Sequence, residues 1–266
     1  MLNIFSANYF KLAFVQKIMQ PVLAPAYCES CYRGVSYGQV FCVDCTKLML
    51  PVANLDLKIN AKYTVPVLAI ANYADPLKKL ILAKNGGNRL ASKQLAQLIW
   101  EQTSLRYLAV DYVIPVPLHW TRLVTRGFNQ AAIIAENLVA CKQVFDQERL
   151  AASLENRSAE LPVRHSSQSD MRRDIAGKSV QVVHLLKRVK RTNYQAELKT
   201  VARWQNVQSA FNLNTELLNN HVFANKNLVL VDDLMTTGAT VISIAKLLAT
   251  LKPRSITVVV ACRVVF

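Results

Sequence analysis

The 266-residue sequence predicts an α/β fold, a parallel sheet flanked by helices, preceded by a small four-cysteine module. Three observations support this prediction. From Val65 onward, short apolar runs that end in polar loops alternate with segments of helical periodicity, which is typical of a parallel α/β sheet. Hydrophobic residues make up 52% of the chain, enough for a substantial core. Four of the six cysteines lie in two closely spaced pairs.

Residues 1–20 are predicted to form an amphipathic helix that lies on the domain or on a partner. Lys11 and Lys17 interrupt its apolar residues, whereas a membrane span needs roughly 18 or more consecutive apolar residues. The segment also lacks the basic start and the continuous apolar core of a signal peptide. We therefore expect no membrane span and a cytoplasmic location.

Residues 21–52 are predicted to form a zinc-binding module. Cys28 and Cys31 form one C-x2-C pair, and Cys42 and Cys45 form another. Each pair can direct two thiolates at the same ion, and two pairs complete a tetrahedral shell. Disulfides are the alternative, but they require an oxidising compartment, which the missing signal peptide argues against. A closed four-cysteine shell leaves no position for substrate, so the zinc is expected to be structural.

Residues 53–266 are predicted to form the α/β domain. A strand opens the stretch VPVLAIANYADPLKKLILAK, and DYVIPVPLH is an apolar strand that runs into a loop. NLVLVDD and SITVVVAC are two further strands, and Ala131, Ile134 and Leu138 recur at helical spacing. Residues 141–183 are instead polar and rich in Ser, Gln and Arg. They are predicted to be a mobile insertion.

The charge of the chain is strongly positive. It contains 32 Lys and Arg against 17 Asp and Glu, a net charge of +15. Such an excess favours polyanionic partners, nucleic acid or phosphorylated metabolites, although a generally basic and soluble surface is the alternative. The segment from Arg157 to Arg203 alone holds eleven Lys and Arg and four Asp and Glu, so the excess is concentrated there.

The stretch 228–240, LVLVDDLMTTGAT, is the strongest indication of a binding site. An apolar strand runs into Asp232 and Asp233, which need partners because an unpaired buried carboxylate is expensive. Ligands of parallel α/β sheets gather beyond the carboxyl ends of the strands. The Thr236–Thr240 turn at a helix start can surround a phosphate with N–H groups and hydroxyls. Together the two parts fit a ribose 5-phosphate.

This stretch has two other interpretations. A Walker P-loop is the first, but the sequence has no G-x-x-x-x-G-K-[ST] pattern, so nucleotide hydrolysis loses its main support. A purely structural helix cap by Thr236 or Thr237 stays open, but it would not explain two carboxylates directly before the turn.

The stretch VLVDDLMTTGAT resembles the phosphoribosyl pyrophosphate (PRPP) motif of type I phosphoribosyltransferases. The four-cysteine module, VPVPLH, RGFNQ and LLKRVKRTNYQAELKTVARWQNVQSAF are similar to segments of the ComF family of competence-associated, phosphoribosyltransferase-like proteins. These segments cover most of the chain.

The resemblance implies a phosphoribosyltransferase-like sheet and a set of site residues. Asp232 and Asp233 would hold the ribose hydroxyls and, with Arg126, form the catalytic group. Further contacts to PRPP and Mg²⁺-bound pyrophosphate would come from Met235, Thr236, Thr237, Gly238, Ala239, Thr240, Pro117, Leu118, His119 and Lys84.

The segment with Arg188, Arg191 and Arg203 resembles the active-site cover of the family. Tyr194 and Trp204 lie among its cations, which also suits stacked bases beside a phosphate backbone. Two functions follow. One is a PRPP-binding protein that handles single-stranded DNA in natural transformation, together with a helicase-type DNA-uptake protein. The other is an active phosphoribosyltransferase on a nucleobase or amine, for which no acceptor pattern is visible.

Overall fold

The computed structural model describes residues 26–53, 55–83, 88–158, 179–189 and 210–265. The predicted N-terminal helix, residues 1–20, lies outside these ranges. Within them, none of the helices combines the length and the apolar composition that a membrane span requires.

The elements follow one another along the chain as α1 (Val43–Lys47), β1 (Leu55–Lys58), β2 (Thr64–Asn72), α2 (Leu77–Ala83), α3 (Arg89–Gln102), a 3-10 helix (Ser104–Tyr107), β3 (Tyr112–Pro115), α4 (Trp120–Arg126), α5 (Gln130–Ser158), β4 (Gln181–Val182), β5 (Leu186–Arg188), β6 (Phe211–Leu213), α6 (Thr215–Asn220), β7 (Asn227–Met235), α7 (Ala239–Ala249) and β8 (Ser255–Arg263). The four strands predicted from the sequence correspond to β2, β3, β7 and β8.

Six strands form one sheet in the order β1-β2-β8-β7-β3-β4. All neighbouring pairs are parallel except β1 with β2, which form an antiparallel hairpin at one edge. Residues Leu228–Val231 of β7 and Ile256–Cys262 of β8 are buried without interruption. Such continuous apolar runs are expected where layers cover both faces of a parallel sheet.

The two faces of the sheet carry separate hydrophobic clusters. Val229 of β7 packs on one face with Leu95 of α3 and Ile134 of α5. Its neighbour Leu230 lies on the other face with Ile244 of α7. The antiparallel pair β5–β6 covers the same side as α7. The helices that follow the adjacent strands β3 and β7 therefore lie on opposite faces, and a crevice opens between the carboxyl ends of such strands.

Residues 141–158, assigned from the sequence to a polar insertion, continue α5 without a break. Cys141 is buried, and Phe145 packs edge-on against Trp100 with ring centroids 5.7 Å apart. Leu138, Cys141 and Phe145 thus prolong the apolar stripe at helical spacing. The composition of the segment is polar because its other faces are exposed.

The far end of the predicted insertion joins the sheet. Gln181 and Val182 form β4, which pairs with Tyr112 and Val113 of β3. Residues 159–178, between the helix and this strand, lie outside the described residues.

Candidate functional site

The two carboxylates lie within β7, close to its carboxyl end. Both side chains are half-buried, and the backbone N–H of Asp233 donates to Oδ1 of Asp232 at 2.9 Å. The strand continues past them because Leu234 and Met235 still pair with β8. The carboxylates are therefore held on rigid sheet backbone at the edge where the crevice opens.

The turn after β7 has no side-chain cap. Gly238 is the N-cap residue of α7, in the left-handed region at φ 75°, and no side chain accepts a hydrogen bond from the helix start. The alternative in which Thr236 or Thr237 caps this helix is therefore wrong. The first N–H groups of a helix have no intrahelical acceptor. Beside the two threonine hydroxyls, they form a setting suited to a phosphate.

The loop after β3 lies directly beside Asp232. The N–H of Val116 donates to the carbonyl of Val231 at 2.9 Å, which extends the β3–β7 pairing by one residue. Asn129 fixes this loop, since its Nδ2 donates to the carbonyl of Val116 at 3.0 Å and its Oδ1 accepts from the N–H of Ala131. The RGFNQ sequence thus has a structural role at the rim of the crevice.

His119 is buried at the end of this loop, where it is the N-cap residue of α4. Its Nδ1 lies 2.9 Å from Oγ1 of Thr121 and accepts from the Thr121 N–H at 3.4 Å. Pro117 and Leu118, before it, are half-buried. The imidazole is therefore oriented by its own helix.

Three arginines and Asp232 share one electrostatic environment. Burial, and secondly the charge of Arg122, lower the pKa of Arg126. Burial and Arg122 also lower the pKa of Arg188, while Asp232 opposes this shift. The Arg188 guanidinium lies over the Phe211 ring, 5.3 Å from its centroid. Partly buried cations that repel one another form a favourable site for a multivalent anion.

Arg122 was not among the residues predicted from the sequence. The signal that could have identified it is its spacing, four residues before Arg126, which places both on one side of α4. Lys84, Arg191 and Arg203 lie outside the described residues. Ala239 and Thr240 form the first turn of α7.

The four cysteines of the N-terminal module converge on one point. The Sγ atoms of Cys28, Cys31, Cys42 and Cys45 all lie within 4.8 Å of one another. The Cys31 and Cys42 sulfurs are 3.7 Å apart. A tetrahedral shell with Zn–S bonds of about 2.3 Å has S–S edges of about 3.8 Å. The cluster can therefore hold a metal ion such as zinc.

The electrostatics of the cluster differ from thiol to thiol. Burial raises the pKa of Cys28, but hydrogen bonds from the backbone of Cys42, Cys31 and Ser30 outweigh it, and the pKa falls to about 6. Burial and the neighbouring thiols raise the pKa of Cys45 to about 12. The fold alone thus favours the thiolate of Cys28 and the protonated thiol of Cys45.

The module is fastened to the α/β domain by α3. Nε2 of Gln94 donates to Oε1 of Glu29 at 2.6 Å, and Nε2 of Gln97 donates to the carbonyl of Gly38 at 2.5 Å. Phe41 belongs to the same hydrophobic cluster as α3 and the adjoining face of the sheet. The module and this face therefore share one core.

Comparison with known proteins agrees with this geometry. The phosphoribosyl transferase domain family matches residues 125–264, more than half of the chain. The match includes Arg126, both carboxylates of β7 and the turn at Gly238.

Curated relatives align over most of the chain. Competence protein F of Haemophilus influenzae is 27% identical over 235 residues, which cover 84% of this chain and 78% of the relative. The DNA utilization protein YhgH of Escherichia coli O6:H1 is 26% identical over 232 residues, 83% of each chain. YhgH of Salmonella typhimurium is 24% identical over 235 residues, again 83% of each. These relatives confirm the resemblance to the competence-associated family, and the chain belongs to the phosphoribosyl transferase domain family.

Proposed function

We propose that the protein binds PRPP with Mg²⁺ in the crevice between β3 and β7 and acts in the uptake of DNA. The observation that carries the proposal is the juxtaposition of Asp232, at the end of β7, with the arginine cluster beside the β3 loop. Carboxylates suit sugar hydroxyls and cations suit pyrophosphate, so the crevice offers complementary groups to the two ends of a phosphoribosyl diphosphate.

Each part of the crevice has its own task in this proposal. Asp232 and Asp233 accept hydrogen bonds from the ribose hydroxyls. The Thr236–Thr240 turn donates to the 5-phosphate. Arg122 and Arg126 hold the pyrophosphate, whose negative charge Mg²⁺ would neutralise further when bound. In a transfer reaction the bond from the ribose C1 to pyrophosphate breaks, and the arginines stabilise the charge that the leaving group gains.

Titration calorimetry of the purified protein with PRPP and Mg²⁺ tests the binding proposal. Asp233→Asn and Thr237→Val should each weaken PRPP at least about tenfold, or ~1.4 kcal/mol, because each removes a polar contact to a buried ligand. Matched controls are Asp56→Asn in β1 and Thr250→Val at the far end of α7, both exposed. The proposal fails if both site variants bind PRPP as the wild type does.

The setting in DNA uptake rests on the names of the relatives, which refer to competence and to DNA utilization. We propose that single-stranded DNA is a ligand and that Arg188, Arg191 and Arg203 contact it, beside a helicase-type DNA-uptake protein in the cytoplasm. The net charge of +15 supports a polyanionic partner.

A second candidate function is catalysis, a phosphoribosyl transfer to a nucleobase or an amine. The family match and the arginine cluster next to Asp232 favour it. A screen for pyrophosphate release from PRPP against nucleobases and amines tests it. Release that depends on one acceptor and on Asp233 would establish the enzyme, whereas binding without release would leave PRPP as an effector.

We also propose that the cysteine cluster holds one structural zinc ion. The mutual distances of the four sulfurs support this assignment, because four thiolates complete the tetrahedral shell of a structural zinc site.

A further inference from the structure

A second cleft lies at the opposite edge of the sheet, where the parallel strands begin. Its volume is about 460 Å³. It is lined by residues that precede β3, β7 and β8 and by the middle of α5. Asn227, one of its lining residues, starts β7 five residues before Asp232, a separation of about 16 Å along the strand. The cleft is therefore distinct from the crevice between β3 and β7.

Both acidic side chains of this cleft are paired with lysines. Oδ1 of Asp111 lies 3.3 Å from Nζ of Lys226, and Oδ1 of Asp146 lies 2.8 Å from Nζ of Lys142. Lys142 is almost fully buried and donates also to the carbonyl of Arg106 at 3.1 Å. The negative charge of the lining is thus neutralised within the cleft.

Two further cations remain without such partners. Arg149 of α5 and Arg254 before β8 are exposed in the lining, and within the described part of the chain neither has an ion-pair partner. The cleft therefore carries an excess of two positive charges. An excess of this kind attracts a phosphate group, which two guanidinium groups can bind in a bidentate manner.

An exposed aromatic ring stands at the rim. Tyr107 is 67% exposed, although its ring is supported edge-on by Phe145, with centroids 5.9 Å apart, and by the Arg106 guanidinium at 5.8 Å. An aromatic ring whose orientation is fixed by its neighbours, and whose surface is mostly exposed to solvent, is suited to stack on a nucleobase.

We propose that this cleft is a nucleotide-binding site in which Arg149 and Arg254 hold a phosphate and Tyr107 stacks on the attached base. The nucleotide can be free or part of a single strand, since both offer the same phosphate and base. The existence of the site does not depend on PRPP binding. Only the choice of single-stranded DNA as a source rests on the proposed function.

The test uses the full-length protein and a fluorescein-labelled oligothymidylate, with thymidine monophosphate and inorganic phosphate as competitors. Arg149→Glu/Arg254→Glu should weaken binding of the oligonucleotide at least about tenfold. The slope of log affinity against log salt concentration should become less steep by roughly 0.7 for each lost phosphate contact. Tyr107→Ala should weaken binding of the oligonucleotide at least about fivefold, which corresponds to the low end of the stacking energy of one base, and should leave the salt slope unchanged.

A matched control separates local binding from net charge. Lys58→Glu/Lys62→Glu, on exposed positions of the β1–β2 hairpin, removes the same total charge at residues that do not line the cleft. Equal weakening in both double variants, or in neither, overturns the proposal. If Arg149→Glu/Arg254→Glu has a lower melting temperature than wild type, Arg149→Gln/Arg254→Gln replaces it, and the same outcomes decide.

The competitors identify the source. If thymidine monophosphate displaces the oligonucleotide at concentrations where inorganic phosphate does not, the site accepts free nucleotides. If neither displaces it and the variants still lose affinity, the ligand is a single strand. PRPP affinity, measured in parallel, should stay at the wild-type value in all these variants, so a failed cleft and a failed PRPP site give different results.

Discussion

Asp111 connects two strands at the amino edge of the sheet. Its Oδ2 accepts hydrogen bonds from the backbone N–H of Asn227 at 2.9 Å and from the Asn227 side chain at 3.1 Å. Burial raises the pKa of the Asp111 carboxyl, but these hydrogen bonds and the charge of Lys226 outweigh it, so the pKa lies below its usual range. The ionised carboxylate therefore stabilises the folded state.

Asp111→Asn tests this contribution. The free energy of unfolding should fall by about 1.5–3 kcal/mol at pH 7, the range for hydrogen bonds to a charged group. A lowered pKa gives stability that is complete above the ordinary pKa and is lost as the pH falls through the lowered one. In urea unfolding at pH 7, 5 and 3.5, the difference in the free energy of unfolding between wild type and Asp111→Asn should thus become smaller at the lowest pH. A difference that is constant with pH, or equal to the difference for exposed Asp56→Asn, contradicts a stabilising role of the Asp111 carboxylate.

At the scale of elements, the cysteine module depends on α3 as much as on its own turns. Gln94 and Gln97 of α3 hold its loops, and Phe41 enters the core of the domain. Loss of the metal should therefore loosen the face of the sheet that α3 covers, and not the module alone.

Cys42→Ser should abolish stoichiometric zinc and lower the melting temperature by at least about 4 °C, which corresponds to roughly 1 kcal/mol or more for a chain of this size. Amide exchange in α3 should accelerate at the same time. Cys141→Ala is the matched control, because burial raises the pKa of Cys141 to about 11 and keeps this thiol protonated outside the cluster. Tag-free wild-type protein without zinc would contradict the metal assignment.

At the scale of the whole molecule, the positive charge should govern binding of single-stranded DNA. Arg188→Glu/Arg191→Glu should lower the affinity of the protein for single-stranded DNA. The slope of log affinity against log salt concentration should become less steep by roughly 0.7 for each lost phosphate contact. Because Arg188 lies near Asp232 and Arg122, PRPP affinity should fall as well. Measurement of both affinities at several salt concentrations separates the roles. An unchanged salt slope with weakened PRPP would leave the segment as an active-site cover only.

The sheet centre was predictable because local sequence determines it. Strands β7 and β8 are buried on both faces, so their apolar runs are unambiguous, and the cysteine pairs define their own geometry. The continuation of α5 was missed because only one face of it is apolar, and composition averages over all faces.

Contacts between distant segments could not be predicted in the same way. Arg122 of α4 and Arg188 of β5 are far apart in the sequence, and only the tertiary structure lets the charge of Arg122 act on Arg188. The cleft at the amino edge is assembled from four separate segments, none of which has a recognisable motif. Such sites become visible only when tertiary structure brings their residues together.

If one crevice binds the two ends of PRPP with different residues, separate titrations of the two fragments of PRPP should reveal it. Ribose 5-phosphate and Mg²⁺-pyrophosphate are titrated separately into wild type, Thr237→Val and Arg122→Gln/Arg126→Gln. A crossed pattern is expected. Thr237→Val should weaken binding of ribose 5-phosphate at least about tenfold and leave binding of pyrophosphate unchanged. Arg122→Gln/Arg126→Gln should weaken binding of pyrophosphate and leave binding of ribose 5-phosphate unchanged. Equal losses of both ligands in both variants, or no loss in either, would contradict it.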